Sequence, residues 1–211
     1  MTKTNQQKVK DFLINNGVII VMFILVIYTG FTSDNFFTKN NFMNILMNMS
    51  SRLVIALGIA GCVITAGCDL SAGRMIGFGA CISGMLLQRM DYSGKFFPDM
   101  QPLNVFVVAL IAMLVCAAFG TVTGFFIAYL NVPPFIATLA MMEIVYGIGL
   151  IVTNATPLGG YVEQYTNVSN GKFLGINYLI WIAIIVAAIT WFIFNMTRHG
   201  KYMYAIGGNP Q

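Results

Sequence analysis

Val18-Ile19-Ile20-Val21-Met22-Phe23-Ile24-Leu25-Val26-Ile27 is an unbroken apolar run at the centre of a longer one, Phe12 to Phe31. Lys3, Lys8 and Lys10 precede it, and the polar stretch Thr32 to Asn41 follows. About 20 consecutive apolar residues make a helix long enough to cross a bilayer, so this run reads as a span. It is too long for the apolar part of a cleaved leader, and no small-residue cleavage pattern follows it. It therefore reads as a retained signal anchor. Working outward, five further stretches carry the same signal: 42–66, 70–88, 103–130, 135–153 and 174–196. Of these, 70–88 is glycine-rich and of marginal length. The expected fold is all-α, a polytopic transmembrane helical bundle of about six spans, forming a single domain over 1–211.

Composition points the same way. Hydrophobic residues make up 58% and charged residues 9% of the chain, whereas a soluble domain carries roughly 25% charged residues. Too little charge is present to coat a water-facing surface. The 21 glycines and 14 methionines suit helices that approach one another closely in lipid. Cys62, Cys68, Cys81 and Cys116 lie in or beside apolar runs without C-x-x-C spacing. They read as small packing residues rather than as disulfide partners or zinc ligands.

Cation placement orients the spans. With the N-terminus in the cytoplasm, inner segments hold Lys3, Lys8, Lys10, Arg74, Arg198 and Lys201, and outer loops hold Lys39, Arg89, Lys95 and Lys172. The net charge of +4 is thus a topology signal. No basic-aromatic patch suggests nucleic acid, and the partner that composition implies is membrane lipid.

Few polar residues interrupt the spans. Arg52 and Glu143 are the charges well inside them, close to mid-bilayer depth by helical rise. A charge there faces a cavity or another charge, so the two are candidates to pair. Asn44, Asn48, Ser51 and Arg52 recur at helical spacing and form one polar face. Asp69 or Ser71 can cap the third helix through its free N–H groups. In the same Asp69-Leu70-Ser71-Ala72-Gly73-Arg74 segment, Gly73 permits close packing. The segment reads as a cap at a membrane-buried bend, or as a broken helix facing a permeation route. Asn48, Ser51, Arg52, Asp69, Ser71, Arg74 and Glu143 are therefore the transport-pathway candidates. Gly120-x-x-x-Gly124 is a small-residue packing face, and Pro133-Pro134 ends one helix and begins the next.

Catalytic constellations are missing from the sequence. His199 is the single histidine, so no histidine-based triad or metal cluster can form, and no phosphate-binding glycine loop with its lysine occurs. No catalytic residue, metal ligand or cofactor is expected. A transport protein, a membrane structural or assembly protein and an intramembrane enzyme stay open on these grounds. The last is weakened by the missing catalytic groups.

Three blocks resemble one family. Leu53-Val54-Ile55-Ala56-Leu57-Gly58-Ile59-Ala60-Gly61, leading to Asp69-Leu70-Ser71-Ala72-Gly73, is similar to the signature of monosaccharide permease subunits of bacterial ATP-binding-cassette importers. Ala128-Tyr129-Leu130-Asn131-Val132-Pro133-Pro134-Phe135-Ile136-Ala137-Thr138-Leu139 resembles their junction of fourth and fifth helices. Thr197-Arg198-His199-Gly200-Lys201, then Ala205-Ile206-Gly207-Gly208-Asn209, looks like the start of their cytoplasmic coupling loop. Asp69 to Arg74 and Leu86-Leu87-Gln88-x-Met90-Asp91 lean toward the members that carry galactose or methyl galactosides.

The resemblance implies a permease that is not itself an enzyme, in the inner (cytoplasmic) membrane. It would work with a second permease subunit (a homodimer), a separate cytoplasmic ATP-binding subunit and an extracytoplasmic sugar-binding protein. Arg198, His199, Gly200, Lys201, Gly207, Gly208 and Asn209 would belong to the ATPase-coupling loop, within 197–211. Family members continue for several more spans, so 1–211 is expected to be the N-terminal part of a longer permease. Ribose, xylose, arabinose, a nucleoside or a branched-chain amino acid are the alternative cargoes.

Overall fold

The computed structural model describes residues 13–14 and 16–208. Lys3, Lys8, Lys10 and Asn209 lie outside the described residues. Within them the chain divides into two compact units, one ending at Leu46 and the other starting at Met47.

In the first unit, α1 (Gly17–Thr32) is apolar on every side and buries no side chain within the chain. Such a helix is one that lipid surrounds. At 16 residues it rises about 24 Å, short of the ~30 Å hydrocarbon thickness. Thr29 donates its hydroxyl to the Leu25 carbonyl at 2.8 Å, which satisfies it without a neighbour. Near the end of α1 the Phe37 ring lies against Gly30, where a Cβ would displace it. Helix α2 (Lys39–Ile64) begins in this unit and ends in the second.

The second unit is built on α3 (Ala72–Leu86), α4 (Val105–Leu130) and α5 (Pro134–Val152). Phe78 and Ile82 of α3, Ala112 of α4 and Met141 and Val145 of α5 form its apolar core. Phe78 meets Phe119 edge to face, with ring centroids 5.6 Å apart, a favoured aromatic geometry. Asn104 caps α4 by accepting the Phe106 N–H at 2.9 Å. Asn131 closes the same helix in the left-handed region, with φ +52°. Pro134 then sits in the first turn of α5, where a missing N–H costs nothing. The proline pair does what its spacing predicts.

Beyond α5 the expected loop is partly ordered: α6 (Glu163–Asn170) is followed by an antiparallel pair, β1 (Lys172–Phe173) and β2 (Ile176–Asn177). Leu174 and Gly175 both have positive φ, 53° and 77°, as a two-residue primed turn demands. Asn177 is buried, accepts the Leu179 N–H at 2.8 Å and donates to the Ser169 carbonyl at 2.6 Å. It thereby starts α7 (Tyr178–Met196). Helix α8 (Arg198–Gly208) ends the described chain, so the segment expected as a loop is helical.

Among the described residues, four helices are long and apolar enough to cross a membrane: α2, α4, α5 and α7. The six-span reading is borne out in part, since each of the six stretches holds an apolar helix but α1 and α3 are the shorter ones. The all-α class holds.

Candidate translocation site

The polar segment before α3 lies at an unexpected depth. Met75 accepts a bond from the Cys116 thiol at 3.6 Å, and Cys116 stands about 21 Å along α4 from Leu130 at 1.5 Å per residue. A Cβ on Gly149 would touch Phe78 at 3.7 Å, and Gly149 is about 22 Å along α5 from Pro134. Both measures put the first turn of α3 well above the Asn131-Val132-Pro133 turn. Against a hydrocarbon layer of ~30 Å, α3 starts near mid-depth. At its other end α3 passes the end of α5, where Gly84 meets Leu158 and Tyr161.

A helix that starts inside the membrane needs its loose polar groups satisfied. Asp69 accepts both the Ser71 N–H at 2.8 Å and the Ser71 hydroxyl at 2.7 Å. Ser71 is 4% exposed. The expected capping is corrected here: Ser71 holds the N-cap position without a side-chain bond to the helix, and its hydroxyl turns back to Asp69. Both bonds converge on one carboxylate oxygen, Oδ1, whose lone pairs accept them together.

Arg74, one turn into α3, lays its guanidinium over the Tyr146 ring of α5, 4.0 Å from the centroid. Beside this pair is a cavity of about 200 Å³ between α3 and α5, bordered by Gly73, Gly77 and Gly149. Tyr146 has no sequence signal of its own, since its role depends on a contact between distant helices.

The remaining candidates are dispersed. Asn48, Ser51 and Arg52 are exposed on α2, while Ser50 beside them is 6% exposed. Glu143 is exposed on α5 one turn before Tyr146. No ion pair joins Arg52 to Glu143 among the described residues, where Arg89 and Asp91 form an exposed pair at 3.6 Å. On α8, Arg198, His199 and Lys201 are exposed and Gly200 is buried against the Phe194 backbone. A Cβ on Gly207 would collide with the Ile64 carbonyl, and one on Gly61 would meet Met203 at 2.8 Å. The glycines thus let α8 lie tightly on the end of α2, and Gly208 is exposed at its tip. The described residues include no group of three or more metal-ligating side chains.

Outside the membrane, Gln88 is the polar residue that inspection of spans overlooks. It is 1% exposed, donates to the Gly159 carbonyl at 3.0 Å and accepts the Phe96 N–H at 2.7 Å. Arg89 donates its N–H to Gly160 at 2.7 Å, and Val162 donates to Leu87 at 2.9 Å. The two outer loops are thereby bound to the end of α3.

Residues 41–211 match the family described as branched-chain amino acid transport system / permease component. The chain belongs to this family. It is a multi-pass protein of the cytoplasmic membrane. It is 38% identical, over its whole length, to the galactose/methyl galactoside import permease of Escherichia coli, covering 65% of that relative. The protein of the same name from Haemophilus influenzae is 39% identical over the same shares. The ribose import permease of Escherichia coli is 31% identical over 95% of this chain and 60% of the relative. The permease chain therefore spans slightly under two thirds of the length of these relatives. No solved structure matches it.

Proposed function

We propose that the chain forms part of the membrane pathway of an ATP-driven importer that carries a monosaccharide, galactose or a methyl galactoside, into the cytoplasm. The observation that supports this best is the start of α3 near mid-depth. Irregular backbone at that depth is tolerated where it is buried in protein or lines a water-filled cavity, and Asp69, Ser71 and Arg74 make this stretch polar. The whole-chain identity to galactose/methyl galactoside import permeases favours that cargo, with ribose as the second reading.

In this reading a second permease subunit, in a homodimer, completes the pathway and accounts for exposed polar residues within the spans, among them Ser51, Arg52 and Glu143. A cytoplasmic ATP-binding subunit hydrolyses ATP and bears on the coupling segment. Within that segment Arg198, His199 and Lys201 offer exposed contacts, and Gly200 and Gly207 seat α8. A sugar-binding protein delivers cargo at the outer loops. The test is uptake of labelled galactose, ribose, arabinose and xylose by the complete transporter. Galactose uptake that exceeds the other three is expected. Clear uptake of another sugar without galactose refutes the cargo.

A further inference from the structure

We propose that the cavity between α3 and α5 holds one monosaccharide ring in transit, with Arg74 releasing the face of Tyr146 to the sugar and hydrogen-bonding its hydroxyls. The inference rests on the sugar-import reading above and assigns a place within it.

The cavity is made by what is missing from its walls. Gly73 and Gly77 lie one turn apart on α3, and a Cβ on either would meet nothing within 4 Å. Glycine is the poorest helix former after proline. Close helix packing excuses it in membranes, but no neighbour in this chain approaches these two. The space they leave is about 200 Å³, below the ~300–1,000 Å³ of pockets that take drug-sized ligands. It suits one ring rather than two.

The chemistry of the lining separates a sugar from a lipid chain or a packed helix. Arg74 borders the cavity near mid-depth, where a guanidinium is costly unless it serves a polar route. Its donors form a planar fork and it has no acceptor, so it can engage neighbouring hydroxyls of one sugar. A cation–π contact is weak enough to be exchanged for such bonds. Tyr146, freed of the guanidinium, offers a flat face to the C–H side of the ring. The rest of the wall is largely apolar, as small-molecule sites are, with few polar groups fixing orientation.

Cys81 lines the same cavity as a free thiol and reports on its occupancy. In the complete transporter, with Cys62, Cys68 and Cys116 changed to Ser, maleimide labelling of Cys81 should slow at least threefold in saturating galactose, and sorbitol should leave it unchanged. Gly77→Leu should fill the cavity and lower galactose uptake at least tenfold at equal membrane content. Gly77→Ala should keep at least half. Arg74→Ala should raise the KM for uptake at least fivefold, with Arg74→Lys partly restoring it.

A transporter that imports galactose while its Cys81 labelling ignores galactose overturns the assignment. So does a Gly77→Leu variant that imports at the parent rate. If Gly77→Leu does not reach the membrane, the labelling result decides alone. If the parent imports no monosaccharide, the cargo reading itself fails, and this assignment with it.

Discussion

Gln88 shows how much one polar side chain can fix. Both ends of its amide are bonded to backbone from two different outer loops, and it is 1% exposed. Gln88→Leu keeps the bulk but leaves a carbonyl and an N–H without partners. Each such loss costs about 1–3 kcal/mol, so thermal unfolding in detergent should show a marked drop in midpoint. Gln88→Glu, which still accepts from Phe96, should be milder. Tyr161 makes a second prediction. Its hydroxyl donates to the Leu158 carbonyl at 2.9 Å, and burial, then the neighbouring Tyr165, Cys81 and Tyr92, raises its pKa above the ordinary value. The unfolded phenol ionises near pH 10, before the folded one. Its contribution is therefore complete below about pH 10 and is lost as pH climbs through the folded value. Unfolding midpoints between pH 9 and 11 should fall more steeply for the parent than for Tyr161→Phe.

At the scale of the element, α3 separates what the sequence shows from what it hides. Hydropathy locates α2, α4, α5 and α7 to within a few residues, because each is a long apolar run whose caps, such as Asn104 and Pro134, are local signals. It also finds Asp69, Ser71 and Arg74, since polar residues between apolar runs stand out. Depth is invisible to it. The level at which α3 starts is set by contacts such as Phe78 with Gly149 and Met75 with Cys116, between residues far apart in sequence. The pairing of Arg74 with Tyr146, in place of Arg52 with Glu143, is hidden for the same reason. Helix α6 and the β1–β2 hairpin escape because a short polar stretch has no apolar period, although Gly175 marks the turn. The bond from Ser71 to Asp69 gives a test at this scale. Hydrogen bonds to charged groups contribute ~1.5–3 kcal/mol, so Ser71→Ala should lower the unfolding midpoint, and Ser71→Thr should retain most of it.

For the molecule as a whole, the mid-span charges test the proposed second subunit. Arg52 and Glu143 have no hydrogen-bond or ion-pair partner among the described residues and are exposed. Removing a charge that touches nothing changes stability by within about 0.5 kcal/mol. Arg52→Leu and Glu143→Leu should therefore leave the unfolding of the isolated chain unchanged, while each lowers uptake by the complete transporter. A large loss of stability in the isolated chain would show instead that the charges serve its own packing. The outer clamp has one more implication. Leu87 and Gln88 fasten the outer end of α3 to two loops by hydrogen bonds, while its first turns lean on Cys116 through Met75 and on Tyr146 through Arg74 and carry Gly73 and Gly77, which no neighbour fills. Helix α3 is thus pinned at the outer mouth and more loosely seated toward the interior, and amide exchange should be slowest near Leu87 and fastest toward Arg74.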